Sequence, residues 1–175
     1  YSFEIIFKEY LLVLLEEIGI LWQTKKIVPG HEHFISNLVR MFIIAETSKL
    51  PIATSVSSKT YVLFTPINEI HELGLLYLQN QIKSNGHHCI YLGTHIPIDT
   101  LLSVQKQHES LTFVSNITIY NESEVLKLLN DLKQCIDLEK NTIWLYGKQL
   151  NKNTIEETNN VFIFNSIQEI IAKLH

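Results

Sequence analysis

The stretch "TYVLFTPINEIHELGLL", Thr60–Leu76, contains the pattern that decides the fold. It opens with a run of apolar and β-branched residues, which is typical of a strand that is buried on both faces. Its second half has apolar residues at helical spacing, which predicts a helix over residues 69–84. His71 lies between two glutamates at the start of that helix. The sequence therefore predicts a strand, a short turn that carries an imidazole, and a helix.

The same alternation continues to the end of the chain. Apolar runs predict further strands at residues 87–93, 111–117, 141–147 and 160–164. Helical spacing predicts intervening helices at residues 97–108, 122–137 and 166–174. Strands that alternate with helices form a parallel sheet through right-handed crossovers, and ligands bind beyond the carboxyl ends of the strands. The predicted fold class is α/β, a flavodoxin-like (Rossmann-type) doubly wound parallel five-stranded sheet, with His71 at the ligand-binding edge.

The N-terminal part has a different pattern. Helical spacing over residues 2–24 and 29–49 predicts a partial helical bundle at residues 1–50. Two helices cannot enclose a core, so we expect them to pack on further helices or on a partner subunit. Residues 51–59 are small and polar and predict a linker, and residues 60–175 form the sheet domain. Because the chain opens inside a helix at Tyr1, we expect that it is part of a longer protein.

Composition excludes several classes of protein. The 175 residues are 46% hydrophobic, which is too apolar for a disordered chain, and the net charge of −4 provides no positive surface for nucleic acid. Cys89 and Cys135 have no paired spacing, as expected for free thiols in a reducing compartment. The most apolar segment, residues 10–22, contains Glu16 and Glu17 and is too short to span a membrane. We therefore expect a cytoplasmic protein without a membrane partner.

His71 has two interpretations. In the first it belongs to a polar helix start, where Asn68 caps the helix and Glu69 and Glu72 favour the positive end of the helix dipole. In the second it is a metal ligand whose other ring nitrogen is held by Glu69. Gly74, which lacks a Cβ, would then let a bulky group approach the helix. One histidine is enough for a metal site only if a macrocycle supplies the remaining ligands.

Other motifs point to no catalytic centre. The run His31–His33 permits a zinc site, but its residues point in different directions and have no third ligand, which favours a polar helix start. The sequence has no dinucleotide-binding, phosphate-binding or serine-hydrolase motif. We therefore predict no catalytic residue and a protein that is not an enzyme.

The run "EIHELG", Glu69–Gly74, resembles the acidic-x-His-x-x-Gly motif of cobalamin-binding domains. In that family the histidine replaces the nucleotide base as the lower axial ligand of cobalt, and a Ser-x-Leu motif follows. The run "SNI", Ser115–Ile117, stands in that register. The resemblance implies that His71 binds the cobalt of cobalamin, that Glu69 and Ser115 form a hydrogen-bonded relay with it, and that Gly74 and Ile117 belong to the cofactor site.

Trp22 is followed by nine residues and then by Glu32 and His33. This Trp-x9-Glu-His pattern resembles that of the light-responsive, cobalamin-dependent repressors of the MerR class, the CarH/LitR group. The resemblance implies adenosylcobalamin as the cofactor, and it implies that Trp22, Glu32 and His33 lie over its upper face near the adenosyl group.

The sequence departs from this family at two places. After the fourth strand, where the family has Gly-Gly and the nucleotide tail runs, this chain has Tyr146 and Gly147. The tyrosine ring would block the tail channel or stack on the buried base. Gln23 follows the tryptophan where some relatives have a histidine, so a second axial histidine is not expected after photolysis.

The predicted function is therefore that of a cobalamin-binding sensor domain of a MerR-family transcriptional regulator and photoreceptor. DNA would be contacted only through a winged helix-turn-helix domain outside this sequence, and the chain would form a homo-oligomer, a dimer or a tetramer. One alternative is a corrinoid methyl-carrier protein of a methyltransferase system. Another is a Rossmann-like interaction module that has lost cobalamin.

Overall fold

The chain divides into two compact units, Tyr1–Lys49 and Leu50–His175. The computed structural model describes residues 1–55, 57–147, 150, 155 and 157–174. Within these ranges, no helix is both long enough and apolar enough to cross a membrane.

The first unit is helical. Its elements are α1 (Phe3–Ile6), a π-helical segment (Phe7–Leu11), α2 (Leu12–Gln23) and α3 (Pro29–Ser48). Pro29 occupies the first position of α3, where its missing N–H costs no hydrogen bond. Val39 and Ile43, one helical turn apart, are buried on one face of α3, while Phe34 and Met41 are exposed.

The second unit is a parallel α/β sheet. Its strands are β1 (Thr60–Pro66), β2 (His88–Ile96), β3 (Thr112–Asn116), β4 (Thr142–Tyr146) and β5 (Val161–Phe164). Its helices are α4 (Leu73–Ser84), α5 (Ile98–Gln105), α6 (Glu122–Cys135) and α7 (Ile167–Ala172). The strands are all parallel in the order β2-β1-β3-β4-β5, so the predicted flavodoxin-like, doubly wound fold class is confirmed.

The sheet is covered on both faces. Successive side chains of a strand point to opposite sides, so Val62 and Phe64 of β1 join the core beneath α5 and α6. Tyr61 and Leu63 join a second core, beneath α4 and α7. This double coverage explains why the strands read as continuous apolar runs in the sequence.

Helix α4 begins at Leu73, so the predicted helix start at residue 69 is wrong. Asn68 does not cap the helix, because it adopts a φ of +73°, whereas a capping residue has extended backbone. The N-cap position is taken by Glu72, whose side chain makes no capping hydrogen bond. Residues 67–72 therefore form a loop, and Glu69 is free of helical geometry.

Candidate functional site

The loop after β1 turns back on itself and directs Glu69 inward. The N–H of Glu69 donates to the carbonyl of Pro66 at 3.1 Å, and the hydroxyl of Thr65 donates to the carbonyl of Glu69 at 2.6 Å. Thr65 is fully buried at the end of the strand. These two bonds close a tight turn at the carboxyl edge of the sheet.

The carboxylate of Glu69 is fully buried, and both of its oxygens accept hydrogen bonds. Oε1 lies 2.6 Å from Nδ1 of His71 and accepts the backbone N–H of the same residue at 3.0 Å. Oε2 accepts the backbone N–H groups of Thr118 and Ile119 at 2.6 and 3.0 Å. The carboxylate thus joins the loop after β1 to the loop after β3. In doubly wound sheets, the crevice between these two loops is the ligand site.

These bonds keep the Glu69 carboxylate ionised. Burial by itself would raise its pKa. The hydrogen bonds from the ring and backbone of His71 and from the amides of Thr118 and Ile119 outweigh burial, and they lower the pKa of Glu69 to about 2. The site therefore contains a fixed negative charge beside an imidazole, which makes that imidazole a stronger donor to a metal.

His71 is positioned from two sides. Its Nδ1 contacts Glu69, and its carbonyl accepts a hydrogen bond from Nδ2 of Asn116 at 2.9 Å. The side chain is 52% exposed. Since Nδ1 is engaged by the carboxylate, Nε2 is the nitrogen that would bind a metal. Ring orientation and tautomer are thus fixed by the protein.

Three isoleucines in the two loops at this edge of the sheet are exposed. Ile70 adjoins His71 in the loop and is 58% exposed, and Ile119, whose amide binds Glu69, is 49% exposed. Ile67, at the start of the loop, is 50% exposed and accepts a hydrogen bond at its carbonyl from the hydroxyl of Tyr120. One metal-binding nitrogen at an edge whose loops also expose apolar side chains fits the face of a flat macrocycle that carries its own equatorial ligands.

No metal site formed by protein side chains alone is seen in the described part of the chain, where no three His, Cys, Asp or Glu side chains are grouped. A metal at His71 would therefore need most of its ligands from a bound cofactor.

Tyr146 fills the space beside the first turn of α4. Its side chain is buried, and a Cβ added at Gly74 would lie 2.9 Å from its hydroxyl oxygen. Gly74 therefore makes room for the tyrosine of this chain, and the space that the sequence interpretation assigned to a bulky ligand is already filled. The hydroxyl has no hydrogen-bond partner among the described residues. Burial, and then the nearby Glu69 charge, raises the pKa of Tyr146, so the hydroxyl stays neutral.

Gly147 is required by the backbone of the neighbouring strand. It has a φ of +152°, and a Cβ at this position would lie 1.8 Å from the carbonyl oxygen of Ile117. The N–H of Ile117 donates to the carbonyl of Tyr146 at 2.8 Å. Ile117 itself is fully buried in the core beneath α5 and α6. The close approach at Gly147 and the hydrogen bond from Ile117 to Tyr146 thus join the chain after β3 to the end of β4.

The Ser115 hydroxyl is buried and has no hydrogen-bond partner among the described residues. The relay that the resemblance implies, from Ser115 through Glu69 to His71, is therefore not formed here. In place of the Ser115 hydroxyl, the amides of Thr118 and Ile119 donate hydrogen bonds to Oε2 of the Glu69 carboxylate.

The helical unit contains the second group of predicted site residues. Trp22 is 49% exposed and lines a pocket of about 560 Å³ at the turn from α2 to α3, together with Ile27 and Val28. Glu32 Oε2 lies 2.8 Å from Nδ1 of His33, and its Oε1 accepts a hydrogen bond from the hydroxyl of Ser36 at 2.6 Å.

Three contributors to the site were missed by sequence reasoning. The amides of Thr118 and Ile119 are backbone groups and leave no trace in the sequence. Asn116 does have a sequence feature that marks it, because it is a polar residue at the carboxyl end of an apolar strand. In a sheet buried on both faces, such a residue indicates a role at the ligand edge.

Comparison with known proteins supports the fold. No protein-family model matches the sequence, and no curated protein matches it. Among solved structures, 38 chains match. One is the monomethylamine corrinoid protein of Methanosarcina barkeri, with 16% identity and a TM-score of 0.72 over 97% of this chain and 81% of that chain. Another is a cobalamin-binding protein of Desulfitobacterium hafniense, with 13% identity and a TM-score of 0.50 over 91% and 75%. At these identities, the likeness establishes the fold.

Proposed function

We propose that the sheet unit binds a corrinoid of the cobalamin class, with His71 as the lower axial ligand of cobalt. The observation that carries this proposal is the buried Glu69 carboxylate, which fixes a half-exposed imidazole at the carboxyl edge of the sheet. The fold shared with a corrinoid protein and a cobalamin-binding protein supports it.

Each residue has a defined role in this proposal. Glu69 orients the imidazole and increases the donor strength of Nε2 through its negative charge. Asn116 holds the backbone of His71 in place, and Ile70 and Ile119 supply apolar contact for the ring system. A bound corrinoid would supply a cobalt centre that exchanges its upper group. The protein needs no catalytic side chain of its own for this role.

We further propose that the corrinoid serves as a carrier in a group-transfer system. The fold likeness to the monomethylamine corrinoid protein extends over 97% of this chain, which includes the helical unit, and supports this role over that of a regulator. In this role a separate enzyme would load and unload the upper group, and the chain would not act as an enzyme by itself.

A sensor role is the second candidate. It is favoured by the Trp22 and Glu32–His33 pattern and by the exposed position of Trp22 in its pocket. In this role adenosylcobalamin would be the cofactor, and the chain would form a homo-oligomer whose assembly responds to light. A separate domain would contact DNA. Gel filtration of the adenosylcobalamin complex in the dark and after light distinguishes the two, because only the sensor role predicts a change in oligomeric state.

Corrinoid binding is tested by incubating the purified chain with hydroxocobalamin, desalting it and recording the absorption spectrum. We expect a retained corrinoid whose spectrum differs between the wild type and His71→Ala. In the carrier role the matched control is His33→Ala, which removes the other histidine that contacts a glutamate and should leave the spectrum of the wild-type complex unchanged. A chain that retains no corrinoid would contradict the proposal and favour an interaction module that has lost cobalamin.

A further inference from the structure

The space beneath His71 raises a question about the cofactor. Cobalamin carries its own nucleotide base on a tail below the ring, and that base occupies the axial position that His71 would take. If His71 binds cobalt, the base must be displaced, and the tail must lie either inside the protein or outside it. The residues between the sheet and helices α4 and α7 decide which.

That space is a closed aromatic core. The ring centroids of Tyr61 and Trp144 are 5.5 Å apart, and those of Trp144 and Phe164 are 5.2 Å apart. Tyr146 lies at the top of this cluster, nearest the loop, and its hydroxyl occupies the space over Gly74. While the Tyr146 ring fills the end of the cluster nearest the loop, a group as large as a nucleotide base has no room to enter there.

The other face of the sheet gives no better place for the tail. A pocket of about 350 Å³ lies beside the loop, between α5 and α6, and Ile67 and Tyr120 are among its lining residues. Its charged lining residues are Glu124, Lys127 and Asp131, two acids and one base. The net charge of this lining is negative, which disfavours a tail that contains a negatively charged phosphodiester.

We propose that the site binds the corrin ring and leaves the nucleotide tail in solvent, with Tyr146 as the residue that excludes it. The inference rests on the proposed function. It identifies the ligand class of the same site as corrinoids irrespective of their lower base, including those that have none. Cobinamide should therefore bind at least as well as cobalamin, because no contact is lost when the base is absent.

The decisive comparison is the ratio of dissociation constants for aquacobinamide and hydroxocobalamin, measured by absorbance titration of the wild-type chain. We expect cobinamide to bind as tightly or more tightly. Cobalamin binding tighter by more than about threefold would overturn the inference, because it would mean that the protein contacts the tail. If neither corrinoid binds, the proposed function fails, which is a distinguishable result.

Two variants test the role of Tyr146. Tyr146→Gly opens the space over Gly74 and should shift the ratio toward cobalamin by about tenfold. Tyr146→Phe keeps the ring and should keep the wild-type ratio. A ratio that is unchanged in a folded Tyr146→Gly protein would show that another residue excludes the tail.

A measurement on the wild type alone remains decisive if Tyr146→Gly does not fold. The ³¹P resonance of bound cobalamin reports on the tail phosphate, and a soluble paramagnetic agent broadens it where it is exposed. We expect the same broadening as for free cobalamin. Protection of the phosphorus would place the tail inside the protein and contradict the inference.

Discussion

The chain contains two glutamate–histidine pairs, one in each unit. In the sheet unit, Oε1 of Glu69 lies 2.6 Å from Nδ1 of His71. In the helical unit, Oε2 of Glu32 lies 2.8 Å from Nδ1 of His33. The atoms that meet are of the same kinds, and both imidazoles are more than half exposed, at 52% and 68%.

The two pairs differ in the surroundings of the carboxylate. Glu69 is fully buried, and its two oxygens make four contacts with His71, Thr118 and Ile119. The side chain of Glu32 is 31% exposed, and its other oxygen accepts the hydroxyl of Ser36. An exposed pair of this kind holds its geometry weakly. The comparison teaches that a positioned imidazole depends on how the carboxylate is held.

The largest difference is expected on removal of the two carboxylates. Glu69→Ala leaves three backbone amides and the His71 ring without the buried carboxylate that accepts their hydrogen bonds, so the free energy of unfolding should fall by about 3 kcal/mol. Glu32→Ala should change it by less than about 0.5 kcal/mol. Urea unfolding followed by circular dichroism measures both values. Equal losses would mean that the two pairs are equivalent and would break the comparison.

Low pH should remove the stability that the buried Glu69 carboxylate contributes. Because the folded-state pKa of Glu69 is lowered to about 2 from 4.5, its contribution is fully present above about pH 4.5. It is lost as pH falls through about 2, and amounts to about 3 kcal/mol. The free energy of unfolding of the wild type should therefore converge with that of Glu69→Gln over this range. Glu32→Gln keeps the Glu69 carboxylate, so it is the control variant and should still lose the Glu69 contribution as pH falls through about 2.

Glycines near the two pairs provide a packing test. Gly74 and Gly30 each occupy the second position of a helix. A Cβ added at Gly74 would lie 2.9 Å from the hydroxyl oxygen of Tyr146. A Cβ added at Gly30 would have no heavy atom within 4 Å among the described residues. Gly30→Ala should stabilise by about 0.5–1 kcal/mol through reduced entropy of the unfolded chain. Gly74→Ala should destabilise by about 1–2 kcal/mol through overpacking.

Thermal unfolding of both glycine variants, alone and combined with Tyr146→Phe, checks this explanation. Removing the tyrosine hydroxyl should recover most of the loss at Gly74 and leave the effect of Gly30→Ala unchanged. If Gly74→Ala lowers the stability of the Tyr146→Phe protein as much as that of the wild type, the approach of the new Cβ to the Tyr146 hydroxyl is not the cause.

The smallest difference concerns the hydroxyls that support each glutamate. Thr65→Val removes the buried donor to the carbonyl of Glu69 and should cost about 1 kcal/mol. Ser36→Ala removes the donor to the more exposed Glu32 and should cost less than about 0.5 kcal/mol. Parallel urea titrations give both values, and a larger loss for Ser36→Ala would reverse the ranking of the two sites.

The fold could be predicted from the sequence because its determinants are local. Each strand is a continuous apolar run, and each run is followed by helical spacing, so element order and parallel pairing followed from general rules. The position of His71 at the carboxyl edge followed in the same way, since the loop that contains it directly follows the first strand.

The detail of the site could not be predicted because it is formed by distant segments. The amides of Thr118 and Ile119 reach Glu69 from the loop after β3. A backbone amide is present at almost every residue type, so the sequence does not mark these two. The acidic residues near Asn68 favoured a helix start at residue 69, yet the tertiary hydrogen bonds of Glu69 delay that start to Leu73. The fit of Tyr146 over Gly74 required both β4 and α4 to be in place.

The central claim is that Nε2 of His71 binds the cobalt of a corrinoid. Electron paramagnetic resonance of the cob(II)alamin complex, prepared with unlabelled and ¹⁵N-histidine-labelled protein, tests it directly. We predict that the label changes the axial nitrogen splitting in the wild type and in His33→Ala, and that the histidine-derived splitting is lost in His71→Ala. A spectrum that does not respond to the label in the wild type would contradict the claim, because the axial nitrogen would then belong to the corrinoid's own base.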